Sequence, residues 1–241
     1  MLNINLDKIT DLDFKTKEAY KTLRTNVQFC GDDVKIISLT SCVPNEGKSM
    51  VSFNLAISMA ETGKKVLFVD ADLRKSVLIG RYKINKAIKG LTQFLSGAET
   101  LDNVKYTTNV QNLDMILSGP VPPNPAELLN NDKFKELLEV ARKEYDYVII
   151  DTPPIGQVID PAIVAQQTDG VIFLISQANI SYKYAQKQIE QMKKSRCRIL
   201  GAVLNKVDPE EKGSYYGGYY GRYSKKGYGY GYGYGNNREY K

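Results

Sequence analysis

Short apolar runs recur along the chain, with room for a helix between most successive pairs. Residues 36–39 (Ile-Ile-Ser-Leu), 66–69 (Val-Leu-Phe-Val), 148–150 (Val-Ile-Ile) and 170–176 (Gly-Val-Ile-Phe-Leu-Ile-Ser) are largely continuous rather than alternating. Continuity of this kind marks strands covered on both faces, as in a parallel sheet. Residues 113–117 and 198–204 read as two further strands. Between them the spacing shifts to the helical period. Val51, Leu55 and Met59 fall at i, i+4, i+8, with Phe53, Ile57 and Ala60 beside them and Gly63 as a stop. Residues 17–29 form a helix with Tyr20, Leu23 and Val27 on one face, and residues 1–16 read as an extended or loosely attached arm. Residues 91–97 and 181–195 read as helices, and Asp160-Pro161 opens another. In the run of prolines at 120–125, Asn124 is placed to cap a helix with Pro125 first and Glu127 third. This alternation predicts an α/β fold, a doubly wound, mostly parallel sheet with helices on both faces.

One junction carries chemistry. The strand at 36–39 breaks into Ser41-Cys-Val-Pro-Asn-Glu-Gly-Lys-Ser49, and a helix follows at once. Strand, loop, Gly-Lys-Ser and helix are the parts of a phosphate-binding loop. Backbone N–H groups and the helix N-terminus take polyphosphate, the lysine reaches the β/γ oxygens, and the serine hydroxyl ligates Mg²⁺. Asn45, Glu46, Gly47, Lys48, Ser49 and Met50 are the expected nucleotide-binding residues. The usual first glycine, five residues before Gly47, is here Cys42.

Acidic residues punctuate the other strand ends. Asp70 and Asp72 follow the strand at 66–69, on the edge of an open α/β sheet where ligands bind. They suit Mg²⁺ ligation or orientation of an attacking group, or else they are solvated turn residues. The strand at 148–150 runs into Asp151, a Walker B arrangement in which a carboxylate holds Mg²⁺, usually through water. Asn205-Lys-Val-Asp208 ends the last strand; it matches a guanine-reading tetrapeptide and is read here as a base-side contact through Asn205.

Composition narrows the chemistry. The 241 residues contain no histidine, which excludes His-based triads, general bases and metal ligands. Cys30, Cys42 and Cys197 show neither a CxxC nor a zinc spacing, as expected in a reducing compartment. No apolar run reaches the ~18 residues of a membrane span, and no signal peptide is evident. The formal charge of +6 is uneven: residues 209–241 hold six Lys/Arg against three Asp/Glu, so +3 lies in this tail. With no dense Lys/Arg cluster on the rest, no nucleic-acid partner is expected. The tail is rich in glycine and tyrosine and has no aliphatic residue, so disorder is expected there. Ten tyrosines lie in it: Tyr215, Tyr216, Tyr219, Tyr220, Tyr223, Tyr228, Tyr230, Tyr232, Tyr234 and Tyr240. They are either base-stacking, sticky side chains or an array of phosphate acceptors.

Taken together, residues 41–49 as Walker A, 66–74 as an additional Walker A′, 148–154 as Walker B, the Pro-Pro-Asn-Pro-Ala-Glu-Leu-Leu run at 122–129 and the terminal tyrosine cluster resemble the bacterial tyrosine autokinases of capsular and exopolysaccharide synthesis. The resemblance covers nearly the whole chain. It implies a kinase domain over 1–208 and an acceptor tail over 209–241, phosphorylated between neighbouring subunits with ATP and Mg²⁺. It implies a ring-shaped homo-oligomer, activation by the cytoplasmic end of a transmembrane adaptor or polysaccharide co-polymerase, and reversal by a tyrosine phosphatase. It further implies a separate cytoplasmic kinase, recruited to the inner face of the plasma membrane through that adaptor. On this reading Lys48, Asp70, Asp72 and Asp151 are catalytic, and Ser49, Asp70 and Asp151 hold the metal. Asp72 takes or orients the phenolic proton. The family's oligomerisation motif maps onto Glu18, Lys21 and Arg24, which on spacing alone read as a solvated helix face. Lys21 stands where the family has arginine, and Lys75-Ser76 stands where many relatives have a basic residue followed by proline. Two other readings compete: a switch ATPase like the septum-site and partition proteins, and a non-enzymatic nucleotide-dependent regulator. The former carry a signature lysine where this chain has Val43, and they lack such a tail.

Overall fold

A computed structural model describes residues 2–6, 12–82, 84, 88–177 and 179–207. The ten tail tyrosines and Asp208 lie outside the described residues. By internal contacts the chain divides into Met1–Asn205 and Lys206–Lys241.

Eight strands form one sheet: β1 (Leu2–Ile4), β2 (Ile36–Ser41), β3 (Val66–Asp70), β4 (Lys105–Thr108), β5 (Leu113–Ile116), β6 (Tyr147–Asp151), β7 (Gly170–Ser176) and β8 (Ile199–Asn205), in the order β1-β4-β5-β3-β6-β2-β7-β8. Every pairing is parallel except β4 with β5. The central strands are buried on both faces because their side chains alternate between two cores. Ile37, Leu39, Phe68 and Ile149 face one side, under α1 (Phe14–Gln28) and α2 (Lys48–Ala60). Ile36, Leu67, Val69, Val148 and Ile150 face the other, against α4 (Leu91–Leu95), which follows the four-residue α3 (Leu78–Arg81), and α6 (Asp132–Glu144), which follows α5 (Pro125–Leu129). A third cluster joins Ala162 and Ala165 of α7 (Asp160–Ala165) and Met192 of α8 (Tyr182–Lys193) to Val171 and Phe173.

The N-terminal arm is not loose over its first residues. Residues 2–4 pair in register with residues 106–108, Ile4 and Leu6 are buried, and the Leu6 amide donates to Asn109 Oδ1 at 3.0 Å. A strand of three residues is too short to show a period, so only partners distant in sequence define it. The same holds for β4, whose alternation over Lys-Tyr-Thr-Thr is weak. Helix α1 starts at Phe14 rather than near 17, because Asp13 caps it: its side chain accepts from the Thr16 amide at 3.0 Å. Asn124 stands at the N-cap of α5 with Pro125 first, but its side chain makes no cap bond and its Nδ2 donates to Glu127 Oε2 at 2.6 Å.

Candidate functional site

The carboxyl ends of β2, β3 and β6 converge because the strands are adjacent and parallel. β2 enters a loop that delivers Gly47 as the N-cap of α2, at φ 93°. A β-carbon on Gly47 would stand 2.3 Å from Asn205 Nδ2, so both the left-handed backbone and the close approach require glycine. Asn45 is also left-handed, at φ 64°. The Gly47 carbonyl accepts from the amides of Met50 at 3.1 Å and Val51 at 3.0 Å, so the amides ahead of them, of Lys48 and Ser49, are the ones a helix start offers to an anion.

Glu46 holds this loop in shape. Its carboxylate is fully buried; Oε2 accepts from the amides of Cys42 at 2.7 Å and Val43 at 2.9 Å, and Oε1 from Ser176 at the end of β7 at 3.0 Å. The Glu46 carbonyl accepts from Asn205 Nδ2 at 2.8 Å. Glu46 was expected only as a loop residue lending its backbone; its side chain ties the loop to β7, and its carbonyl to the end of β8. Nothing in a local pattern announces this, since Ser176 lies 130 residues away. Asn205, expected as a base-side contact, spends its amide donor on the loop. Cys42 is buried, and burial with the nearby Glu46 charge pushes its thiol up to about 12, so it is inert at neutral pH.

Lys48 is only 7% exposed, and its ammonium donates to Asp151 Oδ1 at 2.8 Å and lies 3.3 Å from Ser49 Oγ. Asp151 and Asp70 are register partners on β6 and β3, both buried. Burial and the neighbouring Asp151 charge raise the Asp70 carboxyl to about 7, against hydrogen bonding from Ser76 and the pull of Lys48. Asp72 retains 8% exposure; its Oδ1 accepts from the Lys75 amide at 3.0 Å and the Arg74 amide at 3.3 Å. Arg74 then reaches across the site edge and pairs bidentately with Asp160 at the start of α7, at 2.7 and 2.9 Å. The structure thus brings together Lys48, Ser49, Asp70, Asp72 and Asp151. Sequence reasoning did not single out the Ser76, Arg74 and Asp160 contacts; the departure at Lys75-Ser76 was the only local signal.

The residues fit a metal-bound nucleotide. Asp151 Oδ2 is buried with no hydrogen-bond partner among the described residues, the mark of a ligand or water position. Glu18, Lys21 and Arg24 lie elsewhere, on α1. Lys21 pairs with Glu18 at 2.7 Å, and Arg24 donates to the Ser58 carbonyl at 2.5 Å on α2, a contact within one subunit.

A phosphate loop at the carboxyl edge of a parallel sheet, with carboxylates on the neighbouring strands, defines the P-loop nucleotide-binding class. The family model described as an AAA domain matches residues 34–202. Tyrosine-protein kinase CpsD of Streptococcus agalactiae is 45% identical over 212 residues, covering 88% of this chain and 91% of that protein. The kinase domain of the Escherichia coli tyrosine kinase ETK superposes with a TM-score of 0.74 at 32% identity, over 80% of this chain and 77% of that one. A septum-site-determining protein, MinD of Pyrococcus horikoshii complexed with Mg-ADP, gives 0.63 at 26% identity, over 74% and 72%. The chain belongs to the AAA-domain P-loop family and, within it, to the bacterial tyrosine-protein kinases. No helix among the described residues is long and apolar enough to cross a membrane.

Proposed function

We propose that this kinase uses Mg²⁺-ATP to phosphorylate the tail tyrosines of neighbouring copies of itself, and that this controls capsular or extracellular polysaccharide synthesis. The observation that carries the reading is the convergence of Lys48, Ser49, Asp70 and Asp151 around the unpartnered Asp151 Oδ2. Bound ATP supplies the phosphoryl group, and Mg²⁺ neutralises its charge. Lys48 leaves Asp151 to meet the β/γ phosphates. Ser49, Asp70 and Asp151 would then hold the metal, directly or through water. Glu46 and Asn205 keep the loop open. Asp72 retains 8% exposure against 0% for Asp70, which supports giving it the role of orienting an incoming phenol, whose ordinary pKa near 10 leaves it protonated at neutral pH.

The acceptors are Tyr215, Tyr216, Tyr219, Tyr220, Tyr223, Tyr228, Tyr230, Tyr232, Tyr234 and Tyr240. Transfer in trans requires a homo-oligomer, a ring assembled through Glu18, Lys21 and Arg24. A transmembrane adaptor's cytoplasmic end is the activating partner and brings the kinase to the membrane; a tyrosine phosphatase resets it. The test is incubation of the full chain with ATP and Mg²⁺, followed by an anti-phosphotyrosine blot and mass mapping. Phosphate on the tail tyrosines, second order in protein, is expected. Hydrolysis of ATP with no phosphotyrosine would favour the switch ATPase, and nucleotide binding without turnover the non-enzymatic regulator.

A further inference from the structure

We propose that Ser76 is a positioning residue for the metal site: its hydroxyl holds the Asp70 carboxylate in the orientation that Mg²⁺ binding uses. This deepens the Mg²⁺-ATP reading above and rests on it. Asp70 ends β3 in full burial, and among the described residues its carboxylate takes hydrogen bonds from two donors. The Asp72 amide reaches Oδ1 at 3.3 Å, a long contact. The other is the Ser76 hydroxyl, donating to Oδ2. The Lys48 ammonium is committed to Asp151 and Ser49 instead. The rotation of a carboxylate about its last bond is soft, so one strong donor decides where its oxygens point.

The hydroxyl has a second, longer contact. Its oxygen accepts from the Leu78 amide at the start of α3, at 3.4 Å, while its single proton goes to Asp70. The intervening loop is closed by the Lys75 amide on Asp72 and by the Arg74 pair with Asp160. Ser76 therefore links the loop to the strand end. Asp70 stands beside Asp151 in register, and two neighbouring carboxylates repel. A hydroxyl donor on Asp70 Oδ2 opposes its turning away from that neighbour. Without it, Asp70 is free to turn away from its neighbour or towards Lys48, and either movement spoils a two-carboxylate metal site.

The experiment titrates full-length protein with a fluorescent ATP analogue, first in EDTA and then at stepped Mg²⁺. Ser76→Ala should raise the half-saturating Mg²⁺ concentration roughly tenfold, the size of one charge-assisted hydrogen bond. Its affinity in EDTA should stay within about twofold of wild type, because the nucleotide itself is held elsewhere. Ser76→Thr, which keeps the hydroxyl, should restore the wild-type Mg²⁺ dependence. An unchanged Mg²⁺ requirement in Ser76→Ala overturns the assignment while leaving the metal reading intact. Equal losses in EDTA and in Mg²⁺ would show a merely structural role and overturn it as well. A wild type whose affinity ignores Mg²⁺ overturns the metal reading and this assignment with it.

Discussion

Lys48 faces two ways. Its ammonium is the counter-charge of a buried carboxylate, 2.8 Å from Asp151, and the proposed mechanism has it meet phosphate instead. Removing one partner of such a pair strands the other charge. Lys48→Met should therefore abolish phosphotyrosine on a blot and also lower stability in urea by about 3 kcal/mol. Adding Asp151→Asn to that variant should recover part of the stability, since the stranded charge is gone. A Lys48→Met protein as stable as wild type would show that the buried pair contributes nothing to the fold. Glu46 has the opposite design, because its carboxylate satisfies three backbone amides and moves for nothing. Glu46→Gln turns a donor against one of those amides. A fluorescent ATP analogue should bind it roughly tenfold more weakly, the cost of about one hydrogen bond to a charged group. Unaltered binding would mean that the glycine alone shapes the loop. Residue identities at 45–51 were legible in the sequence; what the Glu46 side chain touches was not, because its partners come from β7 and from its own loop.

Elements meet through a few side chains that no periodicity reveals. Asp169 precedes β7, and its Oδ2 accepts from the amides of Lys35 and Ile36 at 2.9 and 2.8 Å, where β2 begins. Its Oδ1 takes Arg142 of α6 at 2.5 Å. Burial alone would raise this carboxyl, but Arg142 and the two amides outweigh it and hold it below the usual range. The sign follows: stability from Asp169 is full above about pH 4 and is lost as acidity protonates it. Asp169→Asn should unfold at lower urea than wild type at neutral pH, by about 2 kcal/mol, and the gap should narrow as acidity protonates the carboxylate. A gap independent of pH would assign the loss to packing. The sequence marked β7 from its apolar run, whereas Asp169 looked like an ordinary turn residue.

At the scale of the molecule, the proposed tail phosphorylation would link charge to assembly. The tail carries +3 by count, and each phosphate adds roughly −1.5 to −2 at neutral pH. Two phosphates cancel it; five or more make it strongly acidic. If tails enter neighbouring sites, as proposed, accumulated charge should repel them from ATP and from Asp70, Asp72 and Asp151, within the ~8 Å that physiological salt allows. The heavily phosphorylated protein should sediment as the smaller species at low salt, and phosphatase treatment should restore the larger one. Equal sedimentation would remove the switch but not the kinase. For the interface itself, Arg24 is a poor probe, since its bond to Ser58 also seats α1 on α2. Glu18→Ala with Lys21→Ala leaves that seat alone. If these residues pair between subunits, light scattering should show a lower mass; an unchanged mass would leave them a solvated face.

The amino-acid sequence by itself determined the alternation of strands and helices, the phosphate loop, and the carboxylates at the ends of β3 and β6. Each is written in contiguous residues, where local period, glycine and proline act directly. Tertiary structure alone decided that residues 2–4 extend the sheet, that β4 runs against β5, and that Glu46, Ser76, Arg74 and Asp169 are joints. Those outcomes depend on partners from a few to more than a hundred residues away, and a hydrogen bond at that range leaves no period in the chain. It exists only once the parallel sheet has brought the strand ends to one edge.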